Sequence, residues 1–255
     1  MRMLLPDTRA ELSDVDLDTA YAWPGWPLTT PWLRANMVST VDGAGRSPDG
    51  LSAGISSAAD RRVFGRLRGL ADVVLVGAGT VRAEGYRPAA LKPDFAERRA
   101  AAGQAPVPSI AVVSRSLDLD LAAPLFAAAT VPTIVITAVD ADPEALRRVR
   151  AAADVIAVGE GVVDLAGAVR ALRARGLDRI HAEGGPSLLA DLLALDLLDE
   201  LLLTISPLVA GGATPDGDAI PRITAHAPLP AAPRAMALHQ LLEDDGSLFL
   251  SYRRR

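Results

Sequence analysis

Short runs rich in valine, isoleucine and leucine, separated by stretches with helical spacing, constrain this chain more than any other feature. "DVVLVGAG", "SIAVVSRS", "PTIVITAV", "DVIAVGEG", "DRIHAEGG" and "ELLLTISPLVAGG" read as strands buried on both faces, as a parallel sheet requires. Between several of them Ser57 to Leu70 places Val63, Phe64, Leu67 and Leu70 on one helical face, and Pro143 to Ala153 and Asp164 to Arg175 carry the same period. Strand and helix in turn predict a doubly wound α/β layer. The chain's end differs, because Asp245-Gly246 between two extended runs predicts an antiparallel hairpin at a sheet edge. Residues 1–31, with "YAWPGWPLTTP", read as an irregular N-terminal arm. From Trp32 onward no repeat, low-complexity stretch or linker divides the chain, so residues 32–255 read as one domain.

The whole chain excludes several classes. No apolar run approaches the roughly 18–20 residues of a bilayer span, so no membrane partner is expected. The opening "MRMLLPDTRAELSDVD" turns acidic before a secretory apolar segment forms, and a cytoplasmic location is expected. Without cysteine there are no disulfides, thiolate metal sites or cysteine nucleophiles. His181, His226 and His239 are scattered and suggest no metal site, His181 reading as a packed strand residue. A net charge of −5 argues against a nucleic-acid surface, so any phosphate is expected to meet a few placed arginines.

Ligands of such sheets bind beyond the carboxyl ends of the strands, near exposed amides and helix N-termini. Two glycine corners stand there. In "VVLVGAGTVRAEGYRP", Gly77 and Gly79 follow a strand, but Arg82 holds the third position of a G-x-G-x-x-G and no ribose-binding acid follows. A glycine turn with the Thr80 hydroxyl on a phosphate or nicotinamide is the better reading. In "IHAEGGPSLLADLL", Gly184 and Gly185 let the backbone approach a pyrophosphate, and Pro186 sits at the first helical position ahead of Ser187 and Leu188. A tight turn holding no ligand is the alternative, against which stands Glu183, a carboxylate at the end of an apolar strand that needs a partner. In "AVVSRS", Ser114 and Arg115 could hold a ribose 2′-phosphate, favouring NADPH over NADH, or Arg115 could simply be solvated.

Taken together, "STVDG", "LRGLADVVLVGAGTVRAEGYRP" and "AEGGPSLLADLL" followed by "LLDELLLTISPLVAGG" resemble the reductase domain of the bifunctional deaminase-reductase of riboflavin biosynthesis. The resemblance runs from Trp32 to the C-terminus in the family's order and spacing. It implies a dihydrofolate-reductase-like fold: three α/β/α layers with a mostly parallel central sheet and the antiparallel C-terminal hairpin. It also implies a homodimer and reduction of 5-amino-6-(5-phosphoribosylamino)uracil by NADPH. The family's zinc deaminase half needs cysteines, so a stand-alone reductase is expected. By the same resemblance Ser39, Thr80, Ser114 and the loop Gly185 to Asp191 contact the dinucleotide, whereas Ser52, Arg68 and Glu183 hold the substrate, Arg68 as its phosphate anchor. Two positions depart from the pattern. Glu84 stands where the family often has aspartate, and a second arginine is replaced in register by Leu91, with Arg87 slightly displaced.

In hydride transfer the cofactor carries the chemistry and the protein supplies position and charge. The expected acceptor is the C1 carbon of the ring-opened ribosylamine, a protonated imine. Glu84 or Asp42 would stabilise that cation, although Asp42 could instead only shape the turn before Gly43. A pterin or dihydrofolate reductase, or a non-catalytic NADPH-binding module, remains the competing reading.

Overall fold

The computed structural model describes residues 1–6, 11–25, 30–214, 216–224 and 233–255. In chain order they form β1 (Arg2–Leu5), α1 (Asp14–Ala20), β2 (Trp32–Thr40), α2 (Ala58–Leu70), β3 (Val73–Gly77), α3 (Ala78–Ala83), α4 (Phe95–Ala101), β4 (Ser109–Val113), α5 (Pro124–Ala127), β5 (Ile134–Thr137), α6 (Pro143–Arg150), β6 (Asp154–Ala157), α7 (Leu165–Arg173), β7 (Arg179–Ala182), α8 (Pro186–Ala194), β8 (Glu200–Ser206), β9 (Met236–Asp244) and β10 (Ser247–Arg254). They fall into two compact units. The first comprises Met1–Ala22, Leu33–Leu67 and Ala182–Arg255, the second Trp23–Trp32 and Arg68–His181. Among the described residues no helix is long and apolar enough to cross a membrane. Trp26 and His226 lie outside the described residues.

In the second unit β3, β4, β5 and β6 pair in parallel, with Val73 opposite Ser109 and Gly77 opposite Val113. Val74, Val76, Ile110, Val112 and Val135 pack with Leu125 of α5 and Val149 of α6 into one core, each side chain stabilising the unit by about 1.5–3 kcal/mol. The uninterrupted apolar runs of β3, β4 and β5 are buried on both faces, as the sequence predicts. β6 is not: Asp154 is exposed and Ile156 alone is buried, because this strand ends the sheet. α6 and α7 begin where a side chain takes up an orphan amide. Asp142 accepts from Ala145 N–H at 2.8 Å and Asp164 from Gly167 N–H at 2.9 Å.

The first unit's strands run in the order β1-β9-β10-β8-β2. β2 and β8 are parallel; β8, β10, β9 and β1 pair antiparallel, so the mostly parallel sheet and the C-terminal hairpin are both present. β8 departs from the expected double-sided burial. Leu202 and Thr204 are buried while Leu201, Leu203 and Ile205 on the other face are only half-buried. Its apolar run reflects one packed face and one half-buried apolar face.

The first 31 residues are not irregular throughout. Arg2–Leu5 adds a strand to β9, and Asp14–Ala20 is a helix opened by a Ser13/Asp16 capping box. What holds that helix is tertiary. Asp14 accepts from Arg62 Nε at 2.6 Å, Asp18 from the buried Arg66 Nε at 2.6 Å, and the Tyr21 carbonyl from buried Arg34 at 2.8 Å. Arg62, Arg66 and Arg34 are thus the clamp of α1.

The C-terminal end of α2, which carries Arg68, is fixed in the second unit by side chains that cap its carbonyls. Trp23 Nε1 donates to Leu70 O at 2.8 Å, and Arg99 to Gly69 O at 2.8 Å and Ala71 O at 2.7 Å. Below them Asp72 accepts from Arg179 Nε at 3.0 Å, from the Arg179 amide at 2.8 Å and from Gln104 at 2.8 Å. A buried carboxylate so saturated with donors ties the start of β3 to the start of β7.

Candidate active site

The Gly-Gly-Pro corner belongs to the first unit. β7 delivers Glu183, which is 8 % exposed, and the chain turns through Gly184 at φ 82° into α8. Glycine adopts that φ at little cost, other residues only with strain. Space makes the same demand, since a Cβ on Gly184 would lie 3.0 Å from Met37 Sδ and 3.3 Å from its Cε. Gly185 is the N-cap of α8, Pro186 stands in the first turn, and no side chain caps the helix. Gly185 and Pro186 are half-buried and Ser187 is exposed, while Leu188 and Leu189 are buried. The first-turn amides of such a helix lack intrahelical acceptors, and its dipole favours negative charge, so the corner suits a phosphate.

The end of β2 lies beside this corner through Met37. Ser39, two residues on, is buried and its hydroxyl donates to the Thr40 carbonyl at 3.0 Å. Ser52 lies farther along the chain, half-buried, where its carbonyl accepts from Ile55 N–H at 3.0 Å. Asp42 has a definite task. Its carboxylate accepts from the Thr40 hydroxyl, from the Gly211 amide at 2.8 Å and from the Ala210 amide at 3.2 Å, which fastens the segment after β8 to the turn after β2. These bonds, led by the Thr40 hydroxyl, hold its pKa below the ordinary aspartate range. The contribution is therefore complete above the ordinary pKa near 3.8 and is lost as pH falls through the lower folded value. Asp42→Ala is expected to speed hydrogen exchange at Ala210 and Gly211 roughly tenfold at neutral pH. In the unaltered protein the same amides should lose protection on acidification below that range.

The second unit holds the other glycine corner. The sequence suggests a turn there; instead Gly77 is the N-cap of α3, with Gly79 and Thr80 in its first turn and no side-chain cap. The opening of α3 stands next to Ser114, because Gly77 pairs with Val113 in the parallel ladder. The Ser114 hydroxyl accepts from Leu117 N–H at 3.1 Å, and Arg115 reaches Gly161 O at 2.8 Å and Asp140 Oδ2 at 3.0 Å. Arg115 thus bridges the loops after β4, β5 and β6 instead of being merely solvated.

α3 ends at Glu84, half-buried, whose amide bonds Thr80 O at 2.9 Å. Gly85 follows at φ 59°, and Tyr86 N–H returns to Val81 O at 3.1 Å, as in a Schellman close. Arg68 lies with its guanidinium carbon 5.3 Å from the centroid of the Tyr86 ring. Met37 beside the Gly184 corner and, separately, Tyr86 beside Arg68 are neighbours that sequence reasoning misses. Tyr86 carried a signal, a glycine after a helical turn with an aromatic residue next; Met37 carried none.

The comparisons with known proteins bear on the family and the fold. A model of the RibD C-terminal domain matches residues 31–222. The 2,5-diamino-6-ribosylamino-4(3H)-pyrimidinone 5′-phosphate reductase of Archaeoglobus fulgidus is 29 % identical over 182 residues, 71 % of this chain and 83 % of that protein. Its counterpart in Methanothermobacter thermautotrophicus is 32 % identical over 184 residues, 71 % and 80 % of the two chains. The crystal structure of a pyrimidine reductase-like protein from Corynebacterium diphtheriae superposes with a TM-score of 0.79 at 27 % identity, covering 93 % of this chain and 98 % of that one. Family match, curated reductases and fold coincide, and the chain belongs to the RibD C-terminal domain family.

Proposed function

We propose that this protein is the NADPH-dependent reductase of a ribosylaminopyrimidine 5′-phosphate in riboflavin biosynthesis. The observation that carries the cofactor assignment is the start of α8, a glycine N-cap without a side-chain cap behind a Gly184 at φ 82°. Those residues fit a dinucleotide pyrophosphate, with Ser187 and Leu188 amides as its donors. Thr80 and Ser114 would contact the remainder of the dinucleotide, and Arg115, whose Nε and one terminal nitrogen hold Gly161 O and Asp140, would offer its other donors to a 2′-phosphate. When bound, the reduced nicotinamide supplies the hydride. Arg68 anchors the substrate phosphate, Glu183 and Ser52 hold the remainder, and Glu84 stabilises the cationic imine of the opened ribosylamine. Asp42 is the other carboxylate proposed for this task, and it also accepts from the Gly211 and Ala210 amides.

We further propose that the enzyme works as a cytoplasmic homodimer. The pairings Leu250 with Leu203 and Leu241, and Tyr252 with Leu201 and Leu238, put all of these on one sheet face that this chain leaves half-buried or exposed.

The test is to incubate protein and NADPH with the deaminated and undeaminated ribosylaminopyrimidine phosphates, beside dihydrofolate, and follow loss of the reduced-nicotinamide absorbance. Oxidation with a ribosylaminopyrimidine phosphate is expected; turnover of dihydrofolate alone would establish a pterin reductase instead. Glu84→Gln should lower kcat about tenfold or more while NADPH KM stays within about twofold, since charge at the imine matters in the transition state.

A further inference from the structure

We propose that Asp140 is a positioning residue that sets the choice of coenzyme: it turns the Arg115 guanidinium so that its remaining edge meets a phosphate on the 2′ carbon of the dinucleotide's ribose. This rests on the reading of Arg115 as the 2′-phosphate contact and adds what aims it.

Three loops of the second unit meet here, after β4, β5 and β6, at the carboxyl ends of parallel strands where such sheets take their ligands. Arg115 donates from Nε to Gly161 O at 2.8 Å and from Nη2 to Asp140 Oδ2 at 3.0 Å, while Asp140 Oδ1 accepts from the Gly161 amide at 3.0 Å. The three bonds close a ring through the carboxylate, the guanidinium and Gly161. A guanidinium carries five N–H groups in one plane, and Nε with Nη2 forms one edge of it. With that edge committed, the edge between Nη1 and Nη2 still presents two parallel N–H groups, the fork that matches two phosphate oxygens. Among the described residues Nη1 donates to no protein atom.

The backbone on each side of the ring is held. Ser114 donates its amide to Ile136 O at 2.9 Å, and its hydroxyl accepts from Leu117 N–H at 3.1 Å, which brackets Arg115. Asp140 stands between Val139, whose amide donates to Gly159 O at 2.8 Å, and Asp142, the N-cap of α6. A Cβ on Gly159 would strike Val162 O and the Asp164 amide nitrogen, so the loop bearing Gly161 is folded tightly on itself. The Arg115 and Asp140 side chains are 44 % and 38 % exposed, and an ion pair so open to water adds little to stability. What it does is remove the rotamers of a long side chain before the ligand arrives.

Charge and aim predict opposite results. A carboxylate near a phosphate repels it, so loss of Asp140 tightens NADPH if charge alone decides and weakens it if the aim of Arg115 decides. Asp140→Ala should weaken NADPH binding about five- to tenfold in a fluorescence titration, with NADH affinity within about twofold and the melting temperature unchanged. Asp140→Asn, which keeps an acceptor for the Gly161 amide but no charge for Arg115, should move the same way and serves if the alanine variant does not fold. In an Arg115→Ala background, Asp140→Ala should alter the ratio of NADPH to NADH affinity by less than about twofold, since nothing is left to aim. Tighter or unchanged NADPH binding in a folded Asp140 variant overturns the inference. So does a further full loss in the double variant, or an equal loss of NADH affinity, which would make Asp140 a support of the loop only. Those results leave the proposed function standing. An Arg115→Ala protein that keeps the preference for NADPH overturns the 2′-phosphate reading of Arg115 and this inference with it.

Discussion

Arg68→Ala should cut kcat/KM for the phosphorylated substrate about 100-fold, nearly all of it in KM, with NADPH KM within about twofold. The size follows from what a forked cation gives an oxyanion: hydrogen bonds to charged groups are worth about 1.5–3 kcal/mol each, and about 3 kcal/mol is a factor near 100. Arg68→Lys should recover only part of it, because an ammonium is a point charge without a planar fork and lies less well on the Tyr86 ring. Steady-state kinetics with the phosphorylated compound and its dephosphorylated form separate the cases. Equal losses on both would remove the phosphate from Arg68.

Gly184→Ala should weaken NADPH binding about 10–30-fold, read by fluorescence titration. At φ 82° an alanine bears about 1–2 kcal/mol of strain, already a factor of about 5–30, and its Cβ would press on Met37 Sδ at 3.0 Å. Met37 can ease the contact by shifting its side chain, but the φ strain is relieved only by turning the backbone, which carries Gly185 and the first amides of α8 out of place. Adding Met37→Ala removes the crowding and leaves the φ strain, so the double variant should recover part of the affinity. Full recovery would mean that space alone selects glycine there.

Much of this arrangement is legible in the sequence because the signals are local. Pro186 after paired glycines marks the start of α8, Asp142-Pro143 and Asp164 mark the starts of α6 and α7, and Asp245-Gly246 marks the hairpin. The family resemblance is borne out by the match over residues 31–222. What stays hidden depends on partners distant in the chain. α1 is short, and its hold on Arg62 and Arg66 of α2 leaves no periodic trace. β8 reads like a strand buried on both faces because the residues of its half-buried face are as apolar as those beneath. Gly77 and Gly79 look like a turn, yet after β3 they begin a helix, since glycine can cap a helix without a side chain. Met37 is visible only once β2 and the Gly184 corner are side by side.

The pairing of Arg2–Leu5 with β9 bears on how the protein keeps from clumping. β9 is nine residues long, with Leu238 41 % exposed, and without β1 it would end the sheet as a row of unsatisfied amides and carbonyls. A short strand bearing Arg2, which pairs with Glu243, occupies that margin from Leu241 to Glu243 and there offers incoming chains a charged border instead of a template for fibrils.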